Sequence, residues 1–132
     1  MRSRRRHARP EGLILAAALI FGSSLAAGVS LAQTRAPEQR RTLLQLADVL
    51  GQAHALRLVC APDDQMWRAR MRRLIEIETP DQAFEAELTV QFNNGFSRAR
   101  KVYARCDASA VVALQRIAGE GKRLSRGLSV TP

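Results

Sequence analysis

The chain has 132 residues, of which 46% are hydrophobic and 25% charged, and its formal net charge is +9. This length fits one leader and one domain and argues against a multidomain protein. The excess of positive charge favours anionic partners.

The N-terminal segment has the three-part pattern of a secretory signal peptide. A charged start that includes Arg2 and Arg9 precedes an apolar run from Leu13 to Phe21, and small residues follow as far as Ala32. This order predicts export by the general secretory route, cleavage near Ala32 and a periplasmic location. The alternative is an uncleaved inner-membrane anchor over residues 13–32.

Removal of the predicted leader, residues 1–32, changes the charge of the protein. The leader holds five of the 21 basic residues and one of the 12 acidic residues, so 16 basic and 11 acidic residues remain, a net charge of +5. Export would separate the protein from the DNA and RNA of the cell. We therefore expect an envelope protein, lipid or polymer as the partner and no nucleic acid, while no pattern specifies an oligomeric state.

The first helix is predicted near residues 40–59. Residues 33–41 before it are polar, include Pro37 and lack an apolar period, which is typical of a flexible linker, and a helical domain is predicted over 42–129. Gly51 interrupts the helix and suggests that a neighbouring helix approaches closely. The apolar face repeats at steps of three and four residues and consists of Leu43, Leu46, Ala47, Leu50, His54 and Leu58.

Three further helices are predicted. The second spans about 63–78, with Trp67 on its apolar face, and the third follows a capping box at Thr79 and spans about 80–105. Asp107 is the expected N-cap of the fourth, which extends to about residue 128.

The predicted third helix contains a turn signal, Asn93-Asn94-Gly95. Phe92 and Phe96 lie four positions apart and keep the aromatic face in phase across it. We therefore predict a continuous helix, with a kink as the alternative.

The chain is thus predicted to form an all-α, up-down bundle of about four helices. In such a bundle the loops after the first and third helices lie at the same end. Cys60 and Cys106 fall in these two loops, so we predict that they form a disulfide in an oxidising compartment. Their separation does not match a Cys-x-x-Cys redox motif, and too few further ligands are present for zinc.

Candidate binding residues are few. His54 and Arg57 form a candidate ligand or anion site, although a buried histidine with one hydrogen bond and an arginine packed along its stem would give the same pattern. Two basic clusters are candidate surfaces for an acidic partner: Arg98, Lys101 and Arg105 on the third helix, and Arg68, Arg72 and Arg73 on the second. No motif indicates a catalytic site, a cofactor or a metal.

Several segments carry a resemblance to a known family. They are Leu43–Gly51, the His54…Arg57…Cys60 run, Trp67-Arg68-x-Arg70-Met71, Phe92-Asn93-x-Gly95-Phe96 and Tyr103-x-x-Cys106. The chain resembles, over about residues 42–128, a family of small uncharacterised alphaproteobacterial secreted proteins with a signal peptide and two cysteines. The resemblance implies export and a disulfide and implies no activity.

These observations favour a non-catalytic binding or scaffolding module of the cell envelope. The alternatives are an envelope-associated enzyme of the hydrolase type and a peripheral module that binds anionic lipid. A pocket with converging polar groups around His54 and Arg57 would favour a ligand site or an enzyme.

Overall fold

The described part of the chain is an all-α domain. The computed structural model describes residues 35–78 and 81–129, so the predicted leader lies outside the described residues. The helices are α1 (Pro37–Cys60), α2 (Met66–Glu78), α3 (Gln82–Val102) and α4 (Ala108–Ser129). These residues include no strand, which confirms the predicted fold class. None of these four helices combines the length and the apolar character needed to span a bilayer.

Helix α1 is the centre of the bundle, because α2, α3 and α4 each pack against it. Among the described residues, no Cα atom of α4 lies within 8 Å of one in α2 or α3. Burial on α1 consequently extends well beyond the predicted face, although Arg41 and Gln45 stay exposed on one side. The residues buried beyond that face are Val49, Gly51, Ala53, Ala55 and Leu56.

Helices α1 and α3 run parallel, as an up-down bundle requires of its first and third helices. Near the start of both helices, the Arg40 guanidinium lies 4.0 Å above the centre of the Phe84 ring. At their other ends Cys60 and Cys106 form the predicted disulfide, with their Cα atoms 4.9 Å apart. A loop closed across 46 positions stabilises the fold by roughly 4 kcal/mol in the chain-entropy account.

The N-terminal boundary of α1 differs from the prediction. Residues 37–41, expected to belong to a flexible linker, are helical. Pro37 occupies the first turn, where its fixed φ suits a helix and its missing N–H is not needed. Before it, Arg35 donates two hydrogen bonds, of 2.8 and 2.7 Å, to the Glu78 carboxylate at the end of α2. The ordered domain therefore begins earlier than the apolar pattern does.

Helix α2 begins three residues later than predicted, at Met66. The Asp64 carboxylate accepts a hydrogen bond of 2.9 Å from the backbone N–H of Met66. The same carboxylate accepts one of 2.6 Å from Arg57 Nε, which ties the loop to α1. These two hydrogen bonds, with the Met66 N–H contributing most, hold the pKa of Asp64 below its ordinary value.

Aspartates also cap the two following helices. Asp81, and not Thr79, caps α3 by accepting a hydrogen bond of 2.7 Å from the Phe84 N–H, and Thr79 lies outside the described residues. Asp107 caps α4 through the Ala110 N–H at 3.0 Å, as predicted. Helix α3 ends at Val102, three residues short of its predicted end, and is continuous through the Asn93–Gly95 segment.

Two glycines allow α1 and α3 to touch backbone to backbone. A Cβ atom on Gly51 would lie 2.0 Å from the carbonyl oxygen of Phe92, and one on Gly95 would lie 2.1 Å from that of Asp48. Real Cβ atoms do not approach so closely, so a larger residue at either position must push the helices apart. The close approach that Gly51 suggested is confirmed, and it explains why the turn signal at Gly95 lies inside a helix.

We expect Gly51→Ala to lower the free energy of unfolding by about 1–3 kcal/mol or more, because the helices are forced apart. Gly119→Ala is the matched control, since a Cβ there meets no atom within 4 Å. The control should raise stability by roughly 0.5–1 kcal/mol through helix propensity alone. Urea unfolding followed by circular dichroism measures both, and equal effects of the two substitutions would contradict the close contact.

Candidate functional site

The outer helices leave grooves between them whose floor is α1, and two of these grooves flank α2. The groove between α2 and α3, here called the His54 groove, has a volume of about 440 Å³. The groove between α2 and α4, here called the Trp67 groove, has a volume of about 610 Å³. Both volumes fall in the range of ordinary small-ligand sites.

His54 lies at the floor of its groove and is only 4% exposed. Its ring centre lies 5.9 Å from that of Phe92 and 5.6 Å from that of Phe96. Its Nδ1 atom is buried and has no hydrogen-bond partner among the described residues. Burial, and secondarily the charge of Arg68, lower the pKa of His54, while Asp64 opposes them. The ring is therefore a neutral group at neutral pH.

The structure separates Arg57 from the role predicted for it beside His54. Arg57 does not line the His54 groove, and its guanidinium is ion-paired with Asp64 at 2.6 Å. The cations at the rim of this groove are instead Arg68 and Arg72, both exposed on α2. The hypothesis of a ligand site at His54 and Arg57 required polar groups around a pocket. Two members of the predicted basic cluster on the second helix, Arg68 and Arg72, supply such groups in place of Arg57.

The Trp67 groove combines an apolar floor with a basic rim. Trp67 is 8% exposed, and its Nε1 atom has no hydrogen-bond partner among the described residues. Ile77, also in the groove, is 61% exposed. The cations that line the groove are Arg70, Arg73, Lys122 and Arg126, and no carboxylate lines it.

Two of the arginines in the Trp67 groove make contacts within α2. The guanidinium of Arg70 lies 4.5 Å above the centre of the Trp67 ring, and Arg73 is 3.3 Å from a carboxylate oxygen of Glu76. Contacts of this kind are weak at exposed positions. Both guanidinium groups thus keep most of their charge available to a ligand.

The basic cluster on the third helix is less uniform than its sequence suggests. Arg98 is ion-paired with Asp48 of α1, which also accepts a hydrogen bond of 2.7 Å from Gln52. Lys101 and Arg105 are exposed, but Arg105 does not lie on the third helix as predicted, because α3 ends at Val102 and Arg105 belongs to the following loop. Arg98 therefore links α1 to α3, and only the other two cations remain as candidates for a binding surface.

Sequence reasoning did not find the Trp67 groove, because its two rims come from helices that are not consecutive in the chain. A signal was present in each helix. Arg70 and Arg73 are one turn apart, as are Lys122 and Arg126, and each pair borders an apolar position. Only the packing of α2 and α4 on α1 shows that the pairs face a common groove.

Comparison with known proteins gives a family and no activity. A family model described as "Protein of unknown function (DUF2385)" matches residues 38–131. No curated protein and no solved structure matches the chain.

Burial of His54 predicts a pH-dependent stability. Unfolded His54 takes up a proton near its ordinary pKa of about 6.5, whereas the folded protein resists protonation until a lower pH. The free energy of unfolding should therefore be at its maximum, as far as His54 determines it, above about pH 7. It should fall by at most about 1.4 kcal/mol per pH unit as the pH is lowered through 6.5.

The control for this prediction is His54→Leu, which keeps an apolar side chain between the two phenylalanines. Asp64 and Asp107 do not interfere, because their pKa values are lowered from a range already below this window. Denaturant unfolding between about pH 7.5 and 5.5 should show the slope in the original protein and lose it in the variant. The same slope in both proteins would rule out His54 as its source.

Proposed function

Since the chain belongs to the family described as "Protein of unknown function (DUF2385)", we propose a function from its own residues. The domain is an exported, non-catalytic binding module of the cell envelope that binds an anionic partner. The proposal concerns the surface formed by α2 and the two grooves beside it.

One observation carries the proposal: cations line both grooves beside α2, and no carboxylate lines either groove. Arg68 and Arg72 border the His54 groove, while Arg70 and Arg73 border the Trp67 groove. A solvated helix face without a binding role commonly alternates its charges. Cations beside apolar surface, in a groove that no carboxylate lines, are instead typical of a site that recognises an anionic, partly apolar ligand.

Export is supported by two features of the chain. The charged, apolar and small-residue order of residues 1–32 is typical of a secretory leader. Cys60 and Cys106 form a disulfide, which persists in oxidising compartments such as the periplasm. The disulfide is compatible with export. The main support for export is the leader pattern.

The hydrolase alternative has less support than the binding module. Hydrolysis of envelope material needs a general acid or base with a partner that orients it. His54 is the one histidine among the described residues, and its Nδ1 has no partner there. The residues that line its groove include no carboxylate. A small anionic ligand bound at Arg68 and Arg72 is the better-supported use of this groove.

Export predicts a specific N-terminus. Mass spectrometry of the protein recovered from the envelope fraction should show a chain that begins near Gln33. A recovered protein that retains Leu13 to Phe21 and sediments with membranes would replace the exported module with the membrane-anchored alternative.

Binding to an anionic partner can be tested by cross-linking in intact envelopes. We expect the double substitution Arg68→Glu/Arg72→Glu to reduce the cross-linked product about tenfold, because two attractive charges become repulsive. The control, Arg100→Glu/Arg116→Glu, changes the net charge equally at exposed positions that line neither groove. Added salt should reduce the amount of cross-linked product that the original protein gives.

The control variant and a second experiment, sedimentation with vesicles, distinguish the lipid alternative. Equal loss of the cross-linked product in the test variant and its control would show that only net charge matters, and would contradict a site on α2. If Lys101→Glu/Arg105→Glu alone abolishes sedimentation with anionic vesicles, the basic surface at the C-terminal end of α3 and in the loop after it binds lipid, and the module is a peripheral membrane protein.

A further inference from the structure

We infer that the Trp67 groove binds one amphipathic helix of a partner protein, with acidic residues on both sides of its apolar face. This inference rests on the proposed binding function and names the class of partner. It is carried by the shape of the groove, by the placement of its cations and by a buried donor that no described residue satisfies.

The groove has the shape of a vacant helix position in the bundle. Helices α2 and α4 both pack on α1, yet no Cα atom of one lies within 8 Å of the other in the described residues. Directly packed helices have axes only about 8–10 Å apart, so these two are not in direct contact. Leu46 and Leu50 of α1 form the floor between them.

The length of the groove also suits a helix. Residues of α2 from Trp67 to Ile77 line it, and ten helical steps correspond to about 15 Å. A partner helix of roughly ten residues covers that distance, which is enough for apolar anchors at positions i, i+3, i+4 and i+7. Exposed Ile77 gives such anchors apolar surface beyond the floor.

The cations form two rows and not one cluster. Arg70 and Arg73 lie along the α2 rim, and Lys122 and Arg126 lie along the α4 rim. A single anionic headgroup would be bound best by cations gathered at one point. Two rows on either side of an apolar floor instead complement acidic residues on both flanks of an apolar stripe.

The same charges argue against a second copy of this chain as the occupant. The chain carries a net charge of +9, and +5 after removal of the predicted leader. A basic helix placed between two rows of cations would be repelled. The partner is therefore a different, acidic segment.

The third observation is the Trp67 indole. The side chain is more than nine-tenths buried, lines the groove and has no partner for Nε1 among the described residues. Buried indole N–H groups in proteins usually find an acceptor. Because this N–H is itself buried, the indole must turn outward before an amide or carboxylate oxygen on the bound helix can accept from it.

The test uses a defined probe and the full chain with its disulfide intact. The probe is a fluorescein-labelled synthetic helix with leucines at i, i+3, i+4 and i+7 and glutamates on both flanks. A second peptide replaces the glutamates with lysines, and a third scrambles the leucines. Fluorescence anisotropy should show binding of the first peptide only, weakening as salt is added.

Variants assign the binding to the groove. Lys122→Glu/Arg126→Glu should weaken binding of the acidic probe by a factor of about ten or more. The control Arg100→Glu/Arg116→Glu should change its binding by a factor below about three. Ile77→Asn should also weaken binding, and Val90→Asn, at a similarly exposed position on α3 outside both grooves, should not. All six substituted positions in these four variants are exposed, so circular dichroism should report the original fold in each protein.

Three outcomes would overturn the inference. They are equal binding of the lysine peptide, equal loss in the test and control variants, and binding of anionic vesicles that is lost with Lys122→Glu/Arg126→Glu. If the probe fails while cross-linking in envelopes still depends on Arg68 and Arg72, the helix partner is wrong and the binding function survives. Failure of both experiments removes the proposed function as well.

Discussion

The contact between the backbones of α1 and α3 is the constraint on which the architecture depends. In most up-down bundles the first and third helices are diagonal and are separated by side chains. Here Gly51 and Gly95 remove the side chains at the crossing, so the diagonal pair touches directly. Asp48 reinforces the contact through Arg98, and the disulfide joins the end of α1 to the loop between α3 and α4. Because α3 lies directly against α1, α2 and α4 pack on other parts of the α1 surface and leave open grooves.

The chemistry of the two grooves follows from the helical repeat of α2. Residues four positions apart, such as Arg68 and Arg72, lie on one side of a helix, and Arg70 and Arg73, three apart, share another side. Alternating arginines along one short helix therefore supply cations to both grooves. The grooves differ in their floors, because His54 and two phenylalanines line one, whereas Trp67 and leucines line the other.

Local patterns in the sequence predicted much of this structure. Apolar residues at steps of three and four positions located the helices. The Asp107 cap was recognised from its residue type, and the predicted topology paired the two cysteines correctly. The start of α1 was missed because residues 37–41 carry no apolar period. Their helix is supported by distant contacts, including Arg40 over Phe84. Such contacts join residues far apart in sequence, and no local pattern indicates them.

The site was harder to predict for the same reason. Arg98 looked like one of three surface cations, yet its partner Asp48 lies 50 positions earlier in the chain. The Trp67 groove needs α2 and α4 in register on α1, and a local pattern contains no information about that register. His54 was correctly expected near the core, and its Nδ1 atom has no hydrogen-bond partner among the described residues.

The separate attachment of α2 and α4 to the centre has a consequence for motion. Helices α1 and α3 are joined by glycine contacts, an ion pair and a covalent bond, so their amide hydrogens should exchange most slowly with solvent. Among the described residues no Cα atom of α4 lies within 8 Å of one in α2 or α3, so the backbone of α4 packs only on α1. Helix α2 is held less extensively still, since α4 packs on more of α1 than α2 does. Either helix can therefore shift outward while α1 and α3 stay together. The width of the Trp67 groove can therefore change with little disruption of the packing between α1 and α3. A ligand can be accommodated there by a hinge-like displacement of one helix.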